Sequence, residues 1–183
     1  MEARTSWSVR DMTYCALMAV IIAVCSWITI PIGAVPFTMQ TLGIFCALGL
    51  LGGMRGTVAV AVYVLIGALG APVFAGFASG VGALVSTTGG YILGFIVTGL
   101  IYWLFTARAG GSWMARALGM ALGLIGCYAF GTAWFMLLYA KTTGPIGLGT
   151  ALGWCVIPFI IPDLCKLALG LALAERIRRH VHI

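Results

Sequence analysis

The sequence predicts an all-α membrane protein, a bundle of six transmembrane helices with both the N- and C-termini cytoplasmic. Composition is the first observation: of 183 residues, 62% are apolar and 8% are charged. An average soluble domain is about 25% charged, and so few ionic side chains cannot cover a chain of this size. Disorder is excluded as well, since it requires low hydrophobicity and mean hydropathy here is +1.13. Length is the second observation. A span takes about 20 apolar residues, so the chain holds roughly six with little remaining and no room for an ordinary soluble domain. The third is the placing of the basic residues. They stand at the ends of apolar runs, where membrane orientation is set, and are not clustered with aromatics. The expected surroundings are a lipid bilayer, with no nucleic acid.

The first apolar run covers residues 12–32, after Arg4 and Arg10. It exceeds the roughly 7–15-residue apolar core of a signal peptide, and no small-x-small site closes it. It reads as an uncleaved first span, broken by Pro31, Gly33 and Pro36. The second span is 41–54, ending at Gly52, Gly53 and Arg55. It is short, so part of 36–40 is expected at membrane level. The third is 57–70. Residues 70–90 are then crowded with Gly, Ser and Thr and carry no charge. Irregular backbone at membrane depth is tolerated where it lines a cavity, and that is the expectation here. The fourth span is 90–107 and the fifth 115–139, followed by a turn-rich connection at 141–147. The last apolar stretch is interrupted by Pro158 and Pro162. It divides into a short segment up to Val156, a turn and a final helix entered near Pro162, with the last span taken as 158–176.

Charge bias supports six spans. With the N-terminus inside, Arg4, Arg10, Arg55, Arg108, Arg116, Arg176, Arg178 and Arg179 lie inside and Lys141 alone outside, with Lys166 within the membrane. Short loops obey the positive-inside rule most strongly. Small residues four apart recur at Ala19 and Ala23, Gly49 and Gly53, Gly90 and Gly94, Gly119 and Gly123, and Ala168 and Ala172. Such pairs allow close helix approach. Most are expected to serve internal packing and one or two a partner.

The acidic residues are Glu2, Asp11, Asp163 and Glu175. Asp163 alone sits deep in an apolar stretch, with Lys166 three residues on. Either costs about 2.5–3.5 kcal/mol at a helix centre, and intramembrane ionisable residues default to functional sites. Residues at i and i+3 share a helix face, so the two can pair or grip one ligand. Lys166 precedes Arg176 by about 15 Å of helix, which sets it near the midplane of a core of about 30 Å. A structural ion pair and a proton relay are the alternatives. A relay needs further acids or histidines, and His180 and His182 are both in the tail. Catalysis is not expected. The only lysines are Lys141 and Lys166, so there is no P-loop. Ser79, within Gly76-Phe77-Ala78-Ser79-Gly80, has no membrane histidine as a base. Metal-ligand clusters are absent from the sequence, and no cofactor is implied. Cys15, Cys25, Cys46, Cys127, Cys155 and Cys165 read as small buried hydrophobes.

Four pieces in order carry a resemblance: Val-Pro-Phe-Thr-Met-Gln-Thr-Leu at 35–42, Gly-Ala-Leu-Gly-Ala-Pro-Val-Phe-Ala-Gly at 67–76, Thr-Gly-Gly-Tyr-Ile-Leu-Gly-Phe at 88–95, and Pro158-Phe159 leading to Pro162, Asp163 and Lys166. Together, from Tyr14 to about Ala174, they resemble the BioY family, the biotin-binding membrane subunits (S components) of energy-coupling factor transporters. Thr87 departs from the proline that members often carry there. The resemblance implies a six-helix bundle in the bacterial plasma membrane, biotin as ligand, and a transmembrane coupling subunit and ATPase subunits as partners. It carries Asp163 and Lys166 over as ligand contacts. Thr38, Gln40, Ser79, Thr88 and Tyr91 are expected to add hydrogen bonds, and Phe37, Phe74 and Trp154 to cover the bicycle, with packing an equal account of each aromatic. Ala19 and Ala23 are expected to dock the coupling subunit. The turn at 88–91, through Gly89 and Gly90, is expected to face the ligand carboxylate, because helix N-termini attract anions. The competing functions are an S component for thiamine or riboflavin, and a membrane scaffold outside transport.

Overall fold

The computed structural model describes residues 7–31 and 35–180. Arg4, Glu2, Ile32, Gly33 and His182 lie outside the described residues. Along the chain run α1 (Val9–Trp27), β1 (Thr29–Ile30), β2 (Phe37–Thr38), α2 (Gln40–Leu51), α3 (Gly53–Ala68), a 3-10 turn (Ala75–Phe77), α4 (Gly80–Leu84), α5 (Gly89–Ala109), α6 (Trp113–Thr142), α7 (Leu148–Cys155) and α8 (Ile157–Arg178). Among the described residues, four helices, α1, α5, α6 and α8, are long and apolar enough to cross a membrane. The apolar helices α2 and α3 have 12 and 16 residues, or about 18 and 24 Å.

The first helix starts earlier and ends sooner than its apolar run suggests. Ser8 Oγ accepts the Asp11 N–H at 3.2 Å and Asp11 Oδ2 accepts the Ser8 N–H at 3.1 Å, a reciprocal cap that starts a helix. At the other end the chain turns extended. Thr29 pairs with Thr38 and Ile30 with Phe37, so the end of the expected first span becomes a short ribbon. The last helix is also corrected. It begins at Ile157 after a break at Val156, and Pro162 lies inside it. Pro158 fits the first turn, where its missing N–H has no partner to lose. Pro162 removes the bond to the Pro158 carbonyl. Between α3 and α5 only short helical pieces form, in line with the glycine-rich composition.

Burial is centred on α2, nine of whose twelve residues are buried, between α1, α3 and α8. The helices α5 and α6 form a close hairpin. A Cβ at Gly123 would lie 2.8 Å from the Thr98 carbonyl oxygen, and one at Gly94 2.9 Å from Cys127 Sγ. Gly49 meets Ala174 in the same way. Most four-apart small pairs are therefore internal, Ala19 and Ala23 among them, at 3% and 6% exposure. This corrects the expected docking pair: both methyl groups face the core, and the exposed face of α1 is formed by Leu17, Val20, Ile21 and Val24. Ion pairs tie one end of the bundle. Arg55 Nε lies 3.1 Å from Asp11 Oδ1, and Arg116 Nη2 lies 2.6 Å from Glu175 Oε2.

Candidate functional site

On α8 the i, i+3 spacing sets Lys166 Nζ 2.9 Å from Asp163 Oδ1, with side chains 6% and 5% exposed. The pair does not stand alone. The short ribbon brings the Thr38 carbonyl to 2.8 Å from Lys166 Nζ and the Phe37 ring centroid to 4.0 Å. A ring face attracts an ammonium at such a distance. From the first turn of α2, Thr41 Oγ1 donates to Asp163 Oδ1 at 2.9 Å. From the middle of α6, the Tyr128 hydroxyl donates to Asp163 Oδ2 at 2.6 Å. Three donors and no acceptor face the carboxylate among the described residues, which is the setting an ionised carboxylate requires when buried.

This cluster forms one wall of a cavity that opens to the outside of the bundle. Small-molecule sites are mostly apolar with a few placed polar groups. Val35, Pro36, Ile92, Phe95, Leu124 and Phe159 supply apolar lining here, and Thr38, Gln40, Thr41, Thr88, Tyr91 and Tyr128 supply polar groups beside Asp163 and Lys166. Gln40 and Tyr91 are fixed from behind. Gln40 Nε2 donates to the Tyr63 hydroxyl at 2.6 Å, and Tyr91 shares a 3.0 Å hydrogen bond with Thr132.

Of the residues singled out in the sequence, Asp163, Lys166, Thr38, Gln40, Thr88 and Tyr91 thus come together around one cavity. Phe37 stands behind Lys166. Phe74 does not line the cavity: it is 1% exposed and packs edge-on against Tyr63 at 5.7 Å. Ser79 is exposed at the start of α4, and Trp154 is exposed against Tyr139. The expected role of the glycines at 89 and 90 is corrected. A Cβ at Gly89 would fall on the Leu84 carbonyl and one at Gly90 on Trp134, so both serve close packing. The Gly89 N–H is already bonded to the Ser86 carbonyl at 3.0 Å, and that of Tyr91 to the Thr88 carbonyl at 3.0 Å. Sequence reasoning missed Tyr128 and Thr41. A hydroxyl in the middle of the fifth apolar run was the available signal for one, and adjacency to Gln40 for the other.

A helical membrane chain with a small-molecule cavity walled by a buried ion pair is, by class, a membrane binding protein or carrier. Within that class the chain belongs to the BioY family, whose model matches residues 1–183. It is 36% identical over 171 residues to the biotin transporter BioY of Thermotoga maritima, covering 93% of this chain and 96% of that one. It is 35% identical over 171 residues to the biotin transporter BioY2 of Lactococcus lactis, covering 89% of each. A crystal structure at 2.1 Å of the S-component for biotin from an ECF-type ABC transporter superposes with a TM-score of 0.81 at 28% identity, over 93% of this chain and 92% of that one.

Proposed function

We propose that this chain is the biotin-capturing S component of an energy-coupling factor transporter in the bacterial plasma membrane. It works with a transmembrane coupling subunit and with ATPase subunits that supply the hydrolysis. Its own part is binding. The observation that carries this reading is the Asp163–Lys166 pair, buried at the wall of an otherwise mostly apolar cavity. An apolar bicycle fits the apolar lining, and a ureido group matches a carboxylate acceptor beside an ammonium donor. Thr38, Gln40, Thr88 and Tyr91 add polar groups around it, and Phe37 holds Lys166 in place.

The same reading takes α1, α2, α3, α5, α6 and α8 as six spans with both termini cytoplasmic. The pairing of Arg55 with Asp11 supports it, because the α2–α3 turn then returns to the level at which α1 begins. The cavity lies toward the opposite end, where α5 and α8 start.

Asp163→Asn tests the site. The amide keeps the shape and loses the charge. Truncating one partner of a buried charge pair costs about 2–5 kcal/mol, so radiolabelled biotin binding in detergent is expected to weaken by roughly 30- to 5,000-fold. Unchanged binding with a lowered thermal midpoint would show the pair to be structural only.

A further inference from the structure

We propose that the cavity reads the two N–H groups of a cyclic urea separately, one on Asp163 and the other on Gln40, with the carbonyl between them on Lys166. This rests on the biotin reading and deepens it. Hydrogen-bond capacity is the basis. An ionised carboxylate offers about four acceptor sites. Asp163 Oδ1 accepts from Thr41 Oγ1 and from Lys166 Nζ, both at 2.9 Å. Its Oδ2 accepts from the Tyr128 hydroxyl at 2.6 Å. One site on Oδ2 is left for a ligand, so Asp163 takes one N–H rather than two. The Lys166 ammonium has three donors. Two go to Asp163 Oδ1 at 2.9 Å and the Thr38 carbonyl at 2.8 Å, and the third suits a ligand carbonyl.

The second N–H needs a second acceptor near Lys166, and Thr38 leads to it. The Thr38 carbonyl holds Lys166, while its hydroxyl lies 3.4 Å from Gln40 Oε1. That contact is long for a hydroxyl donor, so Oε1 keeps its accepting capacity, and Gln40 lines the cavity. The amide is aimed from behind. The Tyr63 hydroxyl donates to the Val73 carbonyl at 3.0 Å, so toward Gln40 it can only accept, and it takes Nε2 at 2.6 Å. This turns Oε1 away from Tyr63 and toward Thr38. Asp163, Lys166 and Gln40 then form an acceptor, donor, acceptor array, the complement of a urea edge. Tyr128 and Tyr63 are positioning residues: one limits Asp163 to a single ligand N–H, and the other orients Gln40.

The experiment measures equilibrium binding of biotin and its two mono-N-methyl derivatives to the full-length protein in detergent, with the thermal midpoint of each variant. Wild type is expected to bind biotin and to reject both methylated ligands. Gln40→Ala is expected to bind biotin between about 5- and 100-fold more weakly, and to accept one methylated ligand better than wild type does while still excluding the other. Tyr63→Phe, which does not line the cavity, is expected to weaken biotin by a smaller factor with the same preference between the methylated ligands. It decides the matter if Gln40→Ala folds poorly. Variants that bind biotin like wild type, or that weaken biotin without accepting either methylated ligand better than wild type does, overturn the inference. A wild type that binds no biotin overturns the function itself.

Discussion

Asp163 and Lys166 are held by groups from three other parts of the chain, and this sets the consequence of removing either one. Lys166→Met leaves a buried carboxylate facing two hydroxyls without its cation. Breaking a buried pair from one side costs about 3–5 kcal/mol, whereas replacing both charges is often near neutral. Adding Asp163→Asn to Lys166→Met is therefore expected to restore most of the lost thermal stability, because Thr41 and Tyr128 donate to different carboxylate oxygens, so the amide oxygen accepts from one hydroxyl while its NH2 donates to the other, which turns to accept. Neither variant is expected to bind biotin. A double variant no more stable than the single one would show that the charge itself is not the cost. The pair was legible in the sequence because apolar surroundings make ionisable residues conspicuous. Tyr128 was not, since a tyrosine in an apolar run has many uses and its partner lies 35 residues away. The glycines at 89 and 90 misled for a related reason: glycine permits both ligand approach and backbone packing, and sequence alone does not separate the two.

Helix faces are decided by which neighbours arrive, and α1 illustrates this. The four-apart alanines were visible, but the side on which α2 and α3 pack was not. With both alanines in the core, Ala19→Trp is expected to act on folding and not on partner docking. Overpacking a filled core costs about 1–3 kcal/mol, occasionally more, and an indole in place of a methyl group belongs at the upper end. Val20→Trp, on the exposed face of the same helix, is the control and is expected to stay within about 0.5 kcal/mol of wild type. Thermal unfolding in detergent compares the two, and equal stability would place Ala19 outside the core. The β1–β2 ribbon also went unread. Two residues per strand give no periodicity, and Pro31 and Pro36 announce only a break. Yet this ribbon delivers the Thr38 carbonyl to Lys166, so the least legible element completes the most legible pair.

Across the whole molecule, six spans require helices of about 18 and 24 Å to cross a core of about 30 Å. Lipid cannot satisfy free backbone groups, so irregular backbone is tolerated at depth only where protein surrounds it. That condition suits α2. It is buried on most sides, the ribbon before it is hydrogen-bonded to itself and to Lys166, and Gly52 at φ +80° closes it into an immediate turn. A re-entrant α2–α3 hairpin would stop short of the start of α1, whereas Arg55 at the turn pairs with Asp11 there. The turn is therefore the place to test sidedness. If both helices cross, Arg55 reaches the cytoplasmic level of α1 and joins seven other arginines against Lys141 outside. With the six native cysteines replaced by alanine and Arg55→Cys introduced, a membrane-impermeant maleimide is expected to label inside-out vesicles and to spare intact cells. The Arg55 side chain is 42% exposed, so access to the reagent is not limited by burial. Labelling in intact cells would set the turn on the outer side, and with it the start of α1 to which Arg55 is paired, and would overturn the cytoplasmic placing of the termini.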